Sequence, residues 1–403
     1  MSTAAAVLLE RADRIAQATD EAGSITRLYG RPGLRRARDQ VAGWMRAAGL
    51  ETRVDGVGNL IGCWPGEGPG RPLVIGSHLD TVPNGGRYDG VLGVLAGLSA
   101  AERLAGAGRR LTCPLHVVAF VEEEGARFGT SFLGSRGWLG LVDPVDEGLV
   151  DAGGVALADA IAAFAGPDRV VAGPPADYIE IHIEQGPILD TAGVPLGVVD
   201  SIIGQTRAVL RLDGAAGHAG TVPMALRRDA LSAAAEIVLE IEQLARQTPG
   251  LLATVGELQV PGGVGNVVPG ATVASLDVRH ADDDARRTAV ETIRRQSLAR
   301  AGRRGIGLEF ELLSEVPATL LEPRLIDGLR RAAEVSTGMP VPTVSSGAGH
   351  DAVIVARVAP AGMLFVRCAG GVSHSPDEAV SAEDVAAALQ TLDTFLDGYL
   401  PPT

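Results

Sequence analysis

The sequence of 403 residues predicts an α/β fold that is interrupted by an inserted α+β domain. In the outer parts of the chain, short apolar runs alternate with helical patterns, an order typical of a parallel sheet with helices on both faces. In the middle, the patterns follow one another as β-α-β-β-α-β, which is the ferredoxin-like order. We therefore expect one domain at residues 1–203 and 316–403 and the inserted domain at residues 204–315.

Each element of the outer domain has its own pattern. Apolar runs that end at polar residues predict buried strands, and apolar residues at helical spacing predict amphipathic helices. The predicted strands cover residues 51–63 (a pair), 72–78, 115–121, 178–183 and 362–366. The predicted helices are an N-terminal one and those at 34–50, 90–107, 323–337, 353–358 and 382–400.

The inserted domain is predicted from strict alternation of apolar and polar residues, which is typical of half-buried strands. The alternating segments are 206–213, 251–260, 271–279 and 306–313. Two long amphipathic helices, at 226–246 and 283–300, lie between them in sequence. A small layered α+β domain accounts for this order.

The composition excludes several classes of function. The net charge is −14 and aromatic residues make up 3% of the chain. An acidic surface repels phosphate, which argues against nucleic acid as a partner. All 35 basic residues are arginine, and the absence of lysine rules out a Schiff-base lysine, a pyridoxal-phosphate lysine and a P-loop lysine.

The location is predicted from the cysteines and the apolar runs. Cys63, Cys113 and Cys368 are odd in number and far apart, so they predict neither a disulfide framework nor a metal site. The N-terminal apolar residues are followed at once by charged ones, which is typical of an amphipathic helix rather than a signal peptide. No apolar run reaches the roughly 18 residues that span a bilayer. We expect a cytoplasmic protein that does not bind membranes.

Histidines and carboxylates are concentrated where the predicted strands end, the edge at which open α/β sheets bind ligands. His78 ends a strand, and Asp80 follows where a carboxylate can accept the second N–H of a metal-bound imidazole. Asp89 lies in a glycine-rich loop before a helix, where a carboxylate can bridge two cations. His182 and His374 lie in similar loops.

Three adjacent carboxylates, Glu122, Glu123 and Glu124, follow the strand 115–121. They repel one another unless a positive charge lies nearby. Because lysine is absent and Arg127 alone is a weak counterweight, a metal ion is the economical explanation. Together with the loops above, three histidines and two carboxylates can form a two-metal site.

Taken singly, each motif also has a structural explanation. His78 and Asp80 can be an ordinary pair at a strand end, Asp89 can cap the following helix, and the three glutamates can form a solvated acidic loop. Two other histidines are predicted to be structural: His116 lies within a buried strand, and the side chain of His280 points to the opposite strand face from that of the preceding residue.

Six segments resemble, in order and spacing, the amidase/hydantoinase/carbamoylase branch of the M20 metallopeptidase-like family. They are GSHLDTVPNGGRYDGVLGVLAGL, VEEEGARFGTSFLGSR, HIEQGPILD, GHAGTVPMALRRDAL, SGAGHDA and GVSHSPDE. The branch contains allantoate amidohydrolases, N-carbamoyl-L-amino acid hydrolases and β-ureidopropionases. This resemblance runs through nearly the whole chain. It implies a zinc-peptidase-like mixed α/β sheet and an inserted lid domain through which a homodimer forms.

The resemblance implies that two divalent metal ions are bound by each subunit. The matching ligand positions are His78, Asp89 and His182 for one ion, and Asp89, Glu124 and His374 for the other. Glu123 resembles the general base that activates the attacking water. Histidine and carboxylate ligands suit Zn, Mn, Co and Ni alike.

Contacts to a small-molecule substrate are implied as well. His218 resembles a lid-domain histidine that polarises the scissile carbonyl, typically from across the dimer. Asn266 and Arg279 resemble lid residues that bind a substrate carboxylate, a task that suits the bidentate guanidinium. Further positions resemble contacts to the ureido group and carboxylate, or the pocket wall: Gln185, His350, Gly370 and Gly371.

The implied activity is hydrolysis of the ureido C–N bond of a carboxylate-bearing substrate, with release of ammonia and CO2. Residues 26–62 are more similar to allantoate amidohydrolases, and an N-carbamoyl-L-amino acid hydrolase or β-ureidopropionase is the alternative. A dipeptidase or aminoacylase of the wider family is disfavoured by His182, where peptidase relatives usually have a carboxylate. A relative that only binds metal is disfavoured by Glu123, since a general base has no use in binding alone.

Overall fold

The computed structural model describes residues 3–142, 146, 148–166 and 173–402. They form two compact units. The larger unit consists of Met1–Asp200 and Leu320–Thr403, and the smaller of Ser201–Thr319. The chain therefore leaves the larger unit once, builds the smaller unit and returns.

The larger unit contains a nine-stranded sheet. Its strands are β1 (Glu51–Val54), β2 (Leu60–Trp64), β3 (Leu73–His78), β4 (Leu115–Phe120), β5 (Asp177–Ile183), β6 (Leu196–Ile202), β14 (Thr319–Leu320), β15 (Thr343–Ser346) and β16 (Ala361–Val366). The order is β1-β2-β4-β3-β5-β16-β6-β14, and β15 also pairs with β6.

The four central strands, β4, β3, β5 and β16, are parallel, whereas β2 and β6 flank them in antiparallel pairing. Alternation of strands and helices alone predicts a parallel sheet, and the mixed sheet implied by the resemblance is confirmed. Strand β6, which pairs antiparallel with β16, and the short strands β14 and β15 beside it are not among the predicted elements. Every residue of β3, β5 and β16 is buried, so both faces of the central sheet are covered.

Nine helices belong to this unit in the described part of the chain. They are α1 (Thr3–Ala16), α2 (Pro32–Ala47), α3 (Val91–Gly106), α4 (Leu133–Trp138), α5 (Leu157–Phe164), α6 (Ile188–Ala192), α9 (Pro323–Thr337), α10 (Ala352–Val355) and α11 (Ala382–Asp397). Local signals set several ends: Pro32 and Pro323 begin α2 and α9, and Ser381 accepts the N–H of Asp384 at the start of α11. Among the described helices of both units, none is both long and apolar enough to cross a membrane.

Helix α3 packs unusually closely on the sheet. A Cβ atom added to Gly93 would lie 2.2 Å from the carbonyl oxygen of Ile181, and one added to Gly97 would lie 3.0 Å from the Ile75 side chain. The helix is therefore held directly against β3 and β5. Because α3 begins two residues after Asp89, this packing also places that carboxylate.

The smaller unit contains a five-stranded sheet, two long helices and a short two-stranded ribbon. The elements are β7 (Gly204–Asp213), β8 (Gly217–His218), α7 (Ala230–Gln247), β9 (Leu252–Thr254), β10 (Leu258–Gln259), β11 (Val267–Val268), β12 (Ala271–His280), α8 (Asp283–Arg303) and β13 (Gly307–Val316). The sheet order is β10-β12-β7-β13, with β9 beside β12, and these pairs are antiparallel. Strands β8 and β11 form the ribbon.

One strand prediction for this unit is wrong. The alternating segment 251–260 is not continuous, because the short strands β9 and β10 are separated at residues 255–257. At the break, the N–H of Ser275 donates to the carbonyl of Glu257, and the N–H of Glu257 donates to the Ser275 hydroxyl. A side chain thus replaces part of the strand pairing at this point.

Alanine in place of Gly93 is expected to destabilise the larger unit, because the added methyl group would force α3 away from the sheet. We expect a loss of about 1–3 kcal/mol, the usual cost of overpacking. Urea unfolding followed by tryptophan fluorescence measures this loss, since Trp44, Trp64 and Trp138 all lie in the larger unit.

Gly43 in α2 provides the matched control, because nothing lies within 4 Å of a Cβ atom added there. The Gly43→Ala variant is expected to gain up to about 1 kcal/mol, since alanine is the better helix former. Equal effects of the two substitutions would contradict the close packing of α3.

Candidate metal centre and active site

Most of the predicted metal-binding residues meet at one edge of the central sheet. His78 is the last residue of β3, His182 is the next to last of β5, and Glu123 and Glu124 follow the end of β4. These three strands are parallel neighbours, so their carboxyl ends lie side by side. Asp89 joins them from the loop that leads into α3.

The first group of possible ligands consists of His78, Asp89 and His182. Asp89 Oδ1 lies 3.3 Å from His78 Nε2 and 3.3 Å from His182 Nε2, and the two nitrogens are 3.5 Å apart. Ligands of a tetrahedral zinc ion with bonds of about 2.0–2.1 Å lie about 3.3–3.4 Å from one another. The three atoms therefore have the spacing of ligands around one ion.

The second group uses the other oxygen of the same carboxylate. His374 Nε2 lies 3.5 Å from Asp89 Oδ2 and 3.4 Å from Glu124 Oε1. Asp89 thus turns one oxygen toward each group, which is the arrangement of a bridging ligand. Glu123 lies beside both, with Oε2 at 4.0 Å from His78 Nε2.

The residues present fit divalent metal ions. Asp89 Oδ1 is buried and accepts no hydrogen bond from any residue that the structure describes, whereas buried carboxylate oxygens ordinarily have a partner. Two imidazole nitrogens and several carboxylate oxygens around it form a donor set that suits Zn, Mn, Co and Ni. A cation between these atoms would satisfy the bare oxygen.

The acidic segment after β4 is buried, which contradicts the solvated-loop explanation. Glu122 is 1% exposed and Glu123 is 6% exposed. Burial, reinforced by Glu124, raises the pKa of Glu123 well above its ordinary value. Burial and the nearby Asp80 carboxylate raise the pKa of Glu122 to about 8. Such raised pKa values mean that ionising these carboxyl groups is costly, a cost that a nearby cation would relieve.

The neighbouring imidazoles lower the pKa of a carboxyl group, whereas burial raises it. Burial alone would raise the pKa of Asp89, but its contacts with His182 and His78 outweigh burial and hold that pKa well below the usual range. The hydrogen bond between His374 and Glu124 raises the pKa of His374 to about 9, although partial burial opposes it. In the metal-free protein, protons on the imidazoles therefore balance part of the acidic charge.

The second nitrogens of the two candidate ligand imidazoles, those of His78 and His182, contact carbonyl oxygens. Nδ1 of His182 lies 2.9 Å from the carbonyl oxygen of Ile183. Nδ1 of His78 lies 3.1 Å from the carbonyl oxygen of Asp80 and 3.8 Å from its carboxylate. Asp80 is thus the neighbour of His78 that the sequence predicts, but the closer atom is in its backbone. Its carboxylate accepts the N–H of Glu124 at 3.2 Å, which links the ends of β3 and β4.

The alternative role of Asp89 as a helix cap is contradicted. Gly90 occupies the N-cap position of α3, and no side chain caps this helix. Instead, Asp89 Oδ2 accepts hydrogen bonds from Gln185 Nε2 and Ser373 Oγ, each at 2.8 Å.

Two residues of the site have a strained backbone. Gln185 and His374 have φ angles of 59° and 53°, a left-handed conformation that costs about 1–2 kcal/mol in a residue with a side chain.

The remaining predicted substrate positions of the larger unit are His350, Gly370 and Gly371. His350 is buried, its ring lies edge-on at 4.5 Å from that of His182, and its Nε2 is 2.8 Å from Ser346 Oγ. Burial lowers the pKa of His350 well below its ordinary value, so this imidazole is neutral. Gly370 and Gly371 form a turn with φ angles of 64° and 68°.

The predicted substrate contacts in the smaller unit are His218, Asn266 and Arg279. His218 in β8 pairs with Val267 in β11, and the carbonyl of Asn266 accepts the N–H of Ala219 at 2.9 Å. The ribbon therefore makes His218 and Asn266 neighbours. Arg279 in β12 donates to both carboxylate oxygens of an aspartate two residues before it, at 2.9 and 3.0 Å.

The two histidines predicted to be structural lie outside the candidate ligand groups. His116 is within β4 and pairs with Cys63 of β2, and burial lowers its pKa to about 4. The ring nitrogens of His280 lie within 3.1 Å of the carbonyl oxygens of Pro249 and Asp282. These contacts account for both residues without a ligand.

Several contributors to the site were missed from the sequence. Arg27 is fully buried and donates from Nε to the carbonyl of Leu79 at 2.8 Å. Burial lowers its pKa to about 10, and Asp80 opposes this, so a cation lies behind the acidic cluster. The side chain of Arg127, the one positive charge that the sequence places near the three glutamates, forms an ion pair with Asp151 at 2.8 Å. Glu378 also contacts the site, although no local pattern links it to a loop 289 residues away.

The mixed α/β sheet has at its carboxyl edge a buried histidine and carboxylate cluster of the kind that metal-dependent hydrolases use. Residues 74–398 match the model of peptidase family M20/M25/M40. The chain belongs to this family.

Named relatives agree with that assignment. The chain is 41% identical to an N-carbamoyl-L-amino acid amidohydrolase of Geobacillus stearothermophilus, over 92% of each chain. It is 38% identical to a probable allantoate deiminase of Oryza sativa subsp. japonica, over 96% of this chain and 87% of the relative. The crystal structure of a hydantoinase/carbamoylase family amidase from Burkholderia multivorans matches with a TM-score of 0.93 at 31% identity, over 97% of both chains. The chain is thus placed among hydrolases of C–N bonds.

Metal binding is expected to strengthen as the pH rises toward 9. In the metal-free protein, the pKa of His374 near 9 leaves its imidazole protonated at neutral pH, and a metal ion must displace that proton. Below this pKa, we expect the affinity for Mn²⁺ to rise about tenfold per pH unit for each proton displaced. Calorimetric titrations in buffers of different ionisation enthalpy count the protons.

The control for this experiment is His280→Asn, which changes a histidine bonded to carbonyl oxygens outside the cluster. It is expected to leave the pH dependence unchanged, whereas His374→Asn is expected to flatten it. A wild-type affinity that does not vary between about pH 6 and 8 would argue against His374 as a ligand.

Proposed function

We propose that this chain is a dinuclear metal-dependent amidohydrolase that cleaves the ureido C–N bond of a small carboxylate-bearing substrate of the allantoate type, releasing ammonia and CO2. The observation that carries the proposal is the orientation of Asp89, whose two oxygens face two different ligand groups. A carboxylate in that position, with Glu123 beside it, is the arrangement that two-metal hydrolysis requires.

The proposed roles follow from this geometry. His78, His182 and Asp89 hold one ion, and Asp89 shares the second with Glu124 and His374. Two bound divalent ions supply Lewis acidity, which polarises the substrate carbonyl and makes water easier to deprotonate.

The chemistry of the protein's own groups is proton transfer and orientation. Glu123 accepts the proton of the attacking water and returns it to the departing nitrogen, a role for which its place beside the ligand groups suits it. Gln185 and His350, which lie beside the ligands, are the proposed contacts to the ureido group and the carboxylate. Gly370 and Gly371 shape the pocket wall. The carbamate formed by cleavage then loses CO2.

We propose further that the smaller unit is the ferredoxin-like lid through which two subunits form a homodimer. The strand order β10-β12-β7-β13 with two helices supports this interpretation. On this lid, His218 would stabilise the developing oxyanion of the partner subunit's substrate, and Asn266 and Arg279 would bind its carboxylate.

A second candidate substrate is an N-carbamoyl-L-amino acid, which also carries a ureido group and a carboxylate. The Geobacillus relative that is named for this activity is 41% identical to the chain, and the probable allantoate deiminase of Oryza sativa is 38% identical. A dipeptidase, an aminoacylase or a metal-binding relative without activity would release no ammonia from any ureido compound in the experiment below.

We also propose a cytoplasmic location, which is supported by three cysteines that form no disulfide.

A substrate panel tests the proposed function. The protein is stripped with a chelator, reloaded with Mn²⁺ or Zn²⁺, and assayed for ammonia with allantoate, N-carbamoyl-L-amino acids and N-carbamoyl-β-alanine. We expect release from allantoate above all, and release only from the carbamoyl compounds would favour the second candidate. The control Glu123→Gln is expected to keep its metal and to lose about 10²–10⁴-fold or more in rate. If the metal-loaded protein released no ammonia from any ureido compound, the proposed substrate class would be contradicted.

Mixed dimers test whether His218 acts across the subunit boundary. Glu123→Gln and His218→Ala variants are each expected to be nearly inactive. If His218 acts on the partner's site, one site of every mixed dimer has both groups, so co-refolding equal amounts should restore about a quarter of wild-type activity. Mixtures that stay as inactive as the separate variants would show that His218 acts within its own subunit or not at all.

A further inference from the structure

Glu378 connects the two chain segments that form the second ligand group. It is 3% exposed. Its Oε1 accepts the N–H groups of Tyr88 and Asp89, at 2.7 and 3.1 Å. Its Oε2 lies 3.1 Å from the hydroxyl of Ser373, which also lies 2.8 Å from Asp89 Oδ2. One buried carboxylate thus contacts the backbone of the bridging aspartate and the residue before His374.

The same residue also shapes the loop that carries His374. The N–H of Glu378 donates to the carbonyl of Ser375 at 3.1 Å, which closes the turn after His374. His374 needs this support, because its side chain is 48% exposed and its φ angle is 53°. A residue with a side chain holds that conformation only when its surroundings impose it.

Gly86 provides the space that Glu378 occupies. A Cβ atom added at Gly86 would lie 2.1 Å from the carboxyl carbon of Glu378 and from its Oε2. The φ angle of Gly86 is not positive, so the glycine is needed for space and not for backbone conformation. The loop before Asp89 and the carboxylate of Glu378 therefore fit together directly.

The first ligand group has a different kind of support. His78 and His182 belong to the buried strands β3 and β5, and strand pairing fixes their backbones. Their second ring nitrogens lie at 3.1 and 2.9 Å from carbonyl oxygens. Within the described residues, neither imidazole forms a hydrogen bond or ion pair with Glu378 or Ser373, so loss of Glu378 should disturb the two groups unequally.

We propose that Glu378 is a positioning residue that selectively sets the metal affinity of the second position, formed by Asp89 Oδ2, Glu124 and His374. This inference rests on the proposed two-metal function. Residues that orient ligands without touching the metal typically contribute 10- to 100-fold in affinity. The first position has two of its three ligands, His78 and His182, on the sheet, so it should lose far less affinity than the second when Glu378 is removed.

Metal titration of the full chain tests the proposal. Chelator-stripped protein is dialysed against buffered Mn²⁺, and bound manganese is counted by mass spectrometry. Wild type is expected to bind two ions. Glu378→Ala is expected to weaken the second ion by about 10- to 100-fold and to leave the first within about threefold. Its titration should resemble that of His374→Ala, which identifies the second position.

Three further variants separate positioning from a general loss of stability. Glu378→Gln retains the oxygen that accepts the two backbone N–H groups and is expected to restore most of the second affinity. Gly86→Ala should weaken the second ion in wild type but add nothing to Glu378→Ala, because it acts by displacing that carboxylate. Asp55→Ala is the matched control, since Asp55 is also buried and accepts three backbone N–H groups, at Val57, Gly58 and Asn59. It should change neither affinity.

The outcomes distinguish this inference from the proposed function. A wild-type chain that binds a single ion contradicts the two-metal proposal itself. If wild type binds two ions, then two ions of unchanged affinity in Glu378→Ala overturn the role of Glu378 alone. Equal weakening of both ions, or a similar loss in Asp55→Ala, overturns its selectivity.

Discussion

The architecture of the site depends on one carboxylate, Asp89, which must turn its two oxygens in different directions while buried. Gly90 makes this possible, because its φ angle of 65° turns the chain into α3 and a Cβ atom there would lie 2.6 Å from the His78 ring. Gln185 and Ser373 then fix Oδ2 by hydrogen bonds. The close packing of α3 on the sheet prevents the segment from moving. Backbone geometry, helix packing and hydrogen bonding thus converge on the orientation of a single side chain.

That orientation is held amid buried negative charge. Asp351 is fully buried, and neither of its oxygens accepts a hydrogen bond from a described residue. Burial and the nearby Glu180 carboxylate raise the pKa of Asp351 well above its ordinary value. Removing carboxylates from water is costly unless opposite charge compensates. Metal binding in such a cluster therefore contributes to folding stability as well as to chemistry.

Local signals account for what the sequence could predict. Helix α9 has the predicted bounds, 323–337, because Pro323 begins it and Gly338 ends it in a left-handed conformation. The candidate ligand positions could be predicted from the sequence for a similar reason, since the ends of apolar runs mark the carboxyl edge of a parallel sheet. Glu378 and Arg27 could not be found in this way. Each acts through hydrogen bonds to backbone groups distant in the sequence, and such contacts leave no periodic pattern.

The strand order also constrains how the molecule is made on the ribosome. Strand β6 pairs with β16 on one side and with β14 and β15 on the other, and all three are translated after the smaller unit's own sheet strands. During synthesis, the inserted unit can complete its sheet while β5 and β6 still have unpaired edges. Apolar strands with open edges associate readily with other chains. The nascent larger unit therefore passes through an aggregation-prone stage that ends only when β16 emerges and fills the gap.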